Sequence, residues 1–117
     1  MMVEKEILLL ATEDYQGLWE VRSHVEELLG RTDVAIRHAV ARAVDDLVER
    51  DWIRIYKGSL LRDRASPLPK EKARACLKMS ASWDLPEAES DALLLAATPE
   101  GERAYLSGKD PAAIKAG

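Results

Sequence analysis

Residues 33–56, Asp33-Val-Ala-Ile-Arg-His-Ala-Val-Ala-Arg-Ala-Val-Asp-Asp-Leu-Val-Glu-Arg-Asp-Trp-Ile-Arg-Ile-Tyr56, carry two hydrophobic periods in one uninterrupted stretch. Ile36, Val40, Ala43 or Val44, Leu47 and Val48 recur at helical spacing, which predicts an amphipathic helix from about Asp33 to Arg50. At Trp52 the period drops to two. Trp52-Ile53-Arg54-Ile55-Tyr56 alternates β-branched and aromatic residues with polar ones and predicts a strand, with Gly58-Ser59 as the turn signal after it.

Outward from this stretch, Leu18, Val21, Val25 and Leu28 form one stripe of a helix over 18–29, with Glu20, His24 and Glu27 facing away. Gly30 suits its C-cap, and Thr32 or Asp33 can cap the helix that follows. Val3, Ile7, Leu8 and Leu10 predict a shorter first helix that Thr12 to Gly17 interrupts. Downstream, Arg62 to Pro69 reads as exposed loop, and Pro69 to Met79 as a short helix with Ala73, Cys76, Leu77 and Met79 as its apolar surface. Trp83 and Leu85 are candidate cover for that helix or a core edge, and Pro86 to Asp91 is acidic loop. Ala92 to Ala97 predicts a strand. Thr98-Pro99 opens a last helix to Leu106, because a threonine hydroxyl caps orphan amides and a proline at the first helical position has no amide to lose.

The whole chain has 117 residues, 47% hydrophobic and 32% charged, the composition of one small folded domain. Its single cysteine, Cys76, cannot form an internal disulfide, no apolar run approaches the roughly 20 residues of a membrane span, and the acidic N-terminus is not built as an export signal. A cytoplasmic protein with no membrane association is expected. The net charge of −4 is unevenly spread: residues 31–78 hold twelve basic and seven acidic side chains, and the flanks carry the opposite balance. A local basic surface on an acidic body fits oriented phosphate binding, and solvated surface charge accounts for the same pattern.

The order helix, helix, longer helix, strand, variable connection, strand, helix resembles a winged-helix domain. The 33–56 stretch is similar to the third helix and first wing strand of MarR-like and PadR-like bacterial regulators, and Thr98-Pro-Glu-Gly-Glu-Arg-Ala-Tyr-Leu106 looks like the opening of the helix after their second wing strand. The resemblance covers about residues 3–106. It implies an α+β fold, a winged helix-turn-helix, from whose compact pattern this chain departs by an unusually long wing connection: the expected domain covers 1–107 with a variable wing insertion at 59–91, followed by a flexible tail over 108–117. It also implies transcription regulation through duplex DNA, often as a homodimer, with the 33–50 helix in the major groove and the wing on the backbone or minor groove. The alternative is a protein-interaction winged helix, a complex subunit without DNA contact, to which the acidic pair Asp45/Asp46 and the long 59–91 segment both point.

On that docking, Arg37, His38 and Arg42 approach the groove beside Ala41, since a guanidinium can donate two hydrogen bonds to guanine or neutralise a phosphate. Arg31 and Thr32 stand at the helix entrance, where orphan amides favour phosphate. Lys57, Arg62 and Arg64 are the wing candidates for the minor groove or backbone. Within the insertion, Lys70, Lys72, Arg74 and Lys78 are candidates for dimerisation or for a protein partner. Each of these cations also has an ordinary reading as solvated charge. His24, His38 and Cys76 make no zinc-like ligand series, the acidic pairs lack the opposed arrangement that general acid–base catalysis needs, and no glycine-rich phosphate cradle appears. No catalytic residue, metal or cofactor is expected, and the protein is read as a non-enzyme.

Overall fold

The computed structural model describes residues 2–59, 64–86 and 91–107. It is α+β, with five α-helices and a four-stranded antiparallel sheet. Helix α1 (Met2–Glu13) leads through a short strand β1 (Gln16–Gly17) into α2 (Leu18–Leu29), then α3 (Val34–Glu49) and β2 (Ile53–Ser59). Strand β3 (Arg64–Pro67), helix α4 (Lys70–Leu77) and a 3₁₀ turn at Ser80–Trp83 precede β4 (Ala92–Ala97) and α5 (Pro99–Leu106). The sheet order is β1-β4-β2-β3, so the chain leaves β2, adds β3 on one side, and returns as β4 on the other.

The core is built by the stripes that the sequence marks. Leu18, Val21 and Val25 of α2 and Ile36, Val40, Ala43, Val44, Leu47 and Val48 of α3 are buried together with Ile7 and Leu8 of α1, Ile53 and Ile55 of β2, and Leu95 of β4. Alternation in β2 sends Ile53 and Ile55 into this core while Arg54 is exposed. The α2–α3 corner is tight because Gly30 takes the left-handed conformation, φ 65°, which lets the amides of Gly30 and Arg31 bond back to the carbonyls of Glu27 and Glu26. The exit of α3 uses the same device on Asp51, φ 61°, with the Trp52 amide bonding the Leu47 carbonyl at 3.0 Å.

Several expectations are corrected. The first helix runs on to Glu13, and the interruption after it contains β1, whose Gln16 and Gly17 pair with Leu95 and Leu94. Gly58 and Ser59 continue β2 instead of turning, and the stretch expected as loop before Pro69 contains β3, with Pro67 opposite Tyr56. Proline is tolerated there because β3 is an edge strand. Leu28 is 49% exposed, since the buried stripe of α2 ends at Val25, and Met79 and Leu85 are also exposed. Trp83 does cover the core, at 7% exposure, with its indole Nε1 donating to the Leu77 carbonyl at 3.0 Å. The expected tail lies outside the described residues. Among those described, no helix is long and apolar enough to cross a membrane.

Candidate nucleic-acid interface

The first turns of α3 are held in place from their own N-terminus. Asp33, not Thr32, is the N-cap: its Oδ1 accepts from the Ile36 amide at 3.0 Å, while Thr32 is exposed and caps nothing. Asp33 Oδ2 accepts from Arg31, from Nε at 2.9 Å and Nη2 at 2.7 Å. The Ile36 amide first, and the Arg31 guanidinium second, hold the Asp33 carboxyl below its ordinary value. Arg31 is therefore engaged by a carboxylate at the helix entrance.

Beyond the cap, Arg37, His38 and Arg42 are exposed, and none of their side chains makes a hydrogen bond or ion pair with the described residues. They do not share one line. Five residues along a helix rotate by about 140°, so Arg37 and Arg42 point to different sides. Val34, Arg37, His38 and Ala41 form one wall of a groove of about 230 Å³, whose opposite wall is Leu77, Lys78, Met79 and Trp83 from the insertion. Arg22 also borders it and is engaged by Glu26 at 3.4 Å and Asp84 at 3.6 Å. No acidic side chain lines the groove among the described residues.

The second half of α3 is occupied. Arg74 of α4 donates to both carboxylate oxygens of Asp45, at 2.8 and 3.0 Å, and lies 3.9 Å from Glu49. Asp45 and Glu49 together hold the Arg74 guanidinium above its ordinary value, with the Asp45 hydrogen bond the largest cause. Lys70 adds a bond to the Glu49 carbonyl at 3.2 Å and a pair with Asp51 at 2.8 Å. Isolated surface pairs contribute little to stability, but here a bidentate guanidinium and a neighbouring ammonium converge on one helix end.

The wing candidates are dispersed. Lys57 is not on a loop after a strand: it sits within β2, opposite Ser66 on one side and Leu93 on the other, with its side chain exposed beside Lys72 and Cys76. Arg62 and the side chain of Arg64 lie outside the described residues, although Arg64 itself begins β3 opposite Ser59. The structure thus brings Arg37 and His38 to one groove, leaves Arg42 outside its lining, ties Arg31 to Asp33, and puts Lys57 on the sheet.

The groove's second wall was not expected from the sequence as part of this surface. Its signal is nonetheless present: Lys70, Arg74 and Lys78 repeat at intervals of four, as do Asp45 and Glu49, so two helices carry complementary charged ridges. In comparisons with known proteins, no family model, no curated protein and no solved structure matched the chain.

Proposed function

We propose that the protein is a winged-helix module that binds duplex DNA sequence-specifically with the first half of α3 and acts in transcription regulation. The observation that carries this reading is the exposed set Arg37, His38 and Arg42, whose side chains have no partner among the described residues, between the start and the middle of a helix whose opposite face is buried. The arrangement of α2, a four-residue turn, α3, and the adjacent strands β4 and β2 with β1 at the edge supports it, because this layout is compatible with a winged helix. Recognition helices characteristically address base edges with their N-terminal residues. The covering of Asp45 and Glu49 by α4 limits entry into the groove to that half. Arg37 and Arg42, on different sides of the helix, suit separate tasks, a base edge for one and a phosphate for the other. A homodimer would place two such helices about 34–36 Å apart on half-sites one turn apart.

The test is selection of bound sequences from a randomised duplex pool at near-physiological salt, followed by Arg37→Ala plus Arg42→Ala on the recovered motif. A reproducible motif is expected, and the double variant should lose at least about tenfold in affinity, since each good bidentate contact contributes about 1–3 kcal/mol, while its thermal unfolding stays unchanged. Folded protein that enriches nothing would hand the function to the second reading, a protein-docking domain. That reading draws on Val34 and Met79, which are 64% and 59% exposed on facing sides of the same groove, an apolar pair unlike a surface made only for phosphates.

A further inference from the structure

We infer that the insertion is a working part of the nucleic-acid surface: α4 cancels the Asp45 carboxylate on the second half of α3, and Lys78 supplies a phosphate contact across the groove from Arg37 and His38. The inference rests on the DNA-binding reading above and adds residues to it from a different part of the chain.

The electrostatic problem is set by the sequence of α3. Asp45 follows Arg42 by three residues, about 4.5 Å along the helix axis, well inside the screening length of about 8–10 Å at physiological salt. An unpaired carboxylate there would repel any phosphate that Arg42 attracts. Arg74 removes the conflict with two hydrogen bonds to the Asp45 carboxylate. Its position is fixed from both ends of α4, by Lys70 on Glu49 and Asp51 at the start, and by burial of Ala73 and Leu77 along the inner face. Arg74 is therefore a positioning residue that acts through Asp45.

The same packing decides where α4 ends. Lys78 follows directly after α4 and is exposed; its backbone amide bonds back to the Ala75 carbonyl, while its side chain makes no hydrogen bond or ion pair with the described residues. Trp83, buried and bonded to the Leu77 carbonyl, holds the backbone just before Lys78. The result is a cation anchored at its backbone, with an ammonium that no described residue engages, on the wall facing Arg37 and His38, in a groove lined by no carboxylate among the described residues. Lysine is suited to phosphate as a point charge and demands no base geometry.

The experiment measures affinity for the selected duplex and for an unrelated duplex of equal length across a salt series, with wild type, Lys78→Gln, Arg74→Gln, and Arg74→Gln combined with Asp45→Asn. Thermal unfolding of each protein is recorded alongside. Lys78→Gln should weaken both duplexes by the same factor and flatten the log affinity against log salt slope by about 0.9. Arg74→Gln should weaken binding about two- to fivefold, and adding Asp45→Asn should restore it, because the carboxylate that needed cancelling is gone. An unchanged slope for Lys78→Gln overturns the phosphate contact. A double variant as weak as Arg74→Gln alone, with unfolding unchanged, overturns the charge-cancelling role and leaves DNA binding standing. A wild-type protein that binds neither duplex overturns both the inference and the reading beneath it.

Discussion

The two halves of α3 rest on one core and meet different neighbours. Ile36 and Val40 under the first half, and Val44, Leu47 and Val48 under the second, are all buried against the same helices and strands. Outside that core, the first half presents the Arg37 and His38 side chains, and mid-helix the Arg42 side chain, without described partners, whereas the turns after them present Asp45 and Glu49 to Arg74 and Lys70. Charge along the helix is sorted by what covers it. A surface evolved only for solubility has no need to gather cations without described partners between Arg37 and Arg42 and, Asp33 at the cap apart, to set its paired carboxylates beyond them. The segregation is consistent with the oriented surface proposed above.

The largest break in the comparison comes from its shared floor. Leu47 is fully buried, so Leu47→Ala should cost about 2–5 kcal/mol in denaturant unfolding and loosen both halves together. Leu28→Ala, at a half-exposed position of the neighbouring helix, should stay within about 0.5 kcal/mol. If Leu47→Ala released only the α4 contacts while Arg37 and His38 kept their environment, the two halves would be separate units and the idea of one rigid platform would fail.

The next effect in size acts on the exit of the second half. Gly101 in α5 packs so closely on the chain that a Cβ there would lie 2.0 Å from the Trp52 carbonyl oxygen, a backbone atom with little room to yield. The same corner is tied by the Thr98 amide to the Trp52 carbonyl at 3.0 Å and by the Thr98 hydroxyl to the Asp51 carbonyl. Gly101→Ala should therefore destabilise by about 1–3 kcal/mol, as overpacking does. Amide exchange should accelerate around 50–53 before it does around 34–38. Uniform acceleration would place the corner and the first half in one cooperative unit.

This contrast was partly legible in the residues. The stripe of α3, the strand change at Trp52, the Gly30 turn and the Thr98-Pro99 opening each carry a local signal whose cause is short-range: period, left-handed backbone, an orphan amide to cap. Asp33 against Thr32 was not decidable, because both side chains can cap and only the backbone geometry chooses between them. β1 escaped because two residues have no period, and β3 because Pro67 and Pro69 signal loop unless the strand is known to be an edge. The groove depended on knowing that α4 lies on α3. Its charged ridges are visible in the sequence, but pairing one ridge with another is a tertiary fact. The place of Lys57 on the sheet is a tertiary fact of the same kind: β2 runs through Lys57 and Gly58 because β3 and β4 pair with both its sides there.

The smallest expected effect sharpens the comparison at its front end. Asp33 is the one carboxylate at the opening of the basic half, and its charge is engaged by the Ile36 amide and by Arg31. Because its folded pKa lies below the ordinary 3.8, its contribution to stability is complete above that value and is lost as pH falls through the lower, folded one. Asp33→Asn keeps a good cap, since asparagine accepts from the same amide, but removes the charge. The difference in melting temperature between wild type and variant should be present at about pH 6 and shrink toward zero as the wild-type carboxylate is protonated in strong acid. The same substitution frees Arg31 and deletes a negative charge near the proposed phosphate path, so affinity for the selected duplex should hold or rise. A fall in affinity, with the fold intact, would mean that Asp33 presents Arg31 to the DNA, and the front half would then begin two residues before its cap.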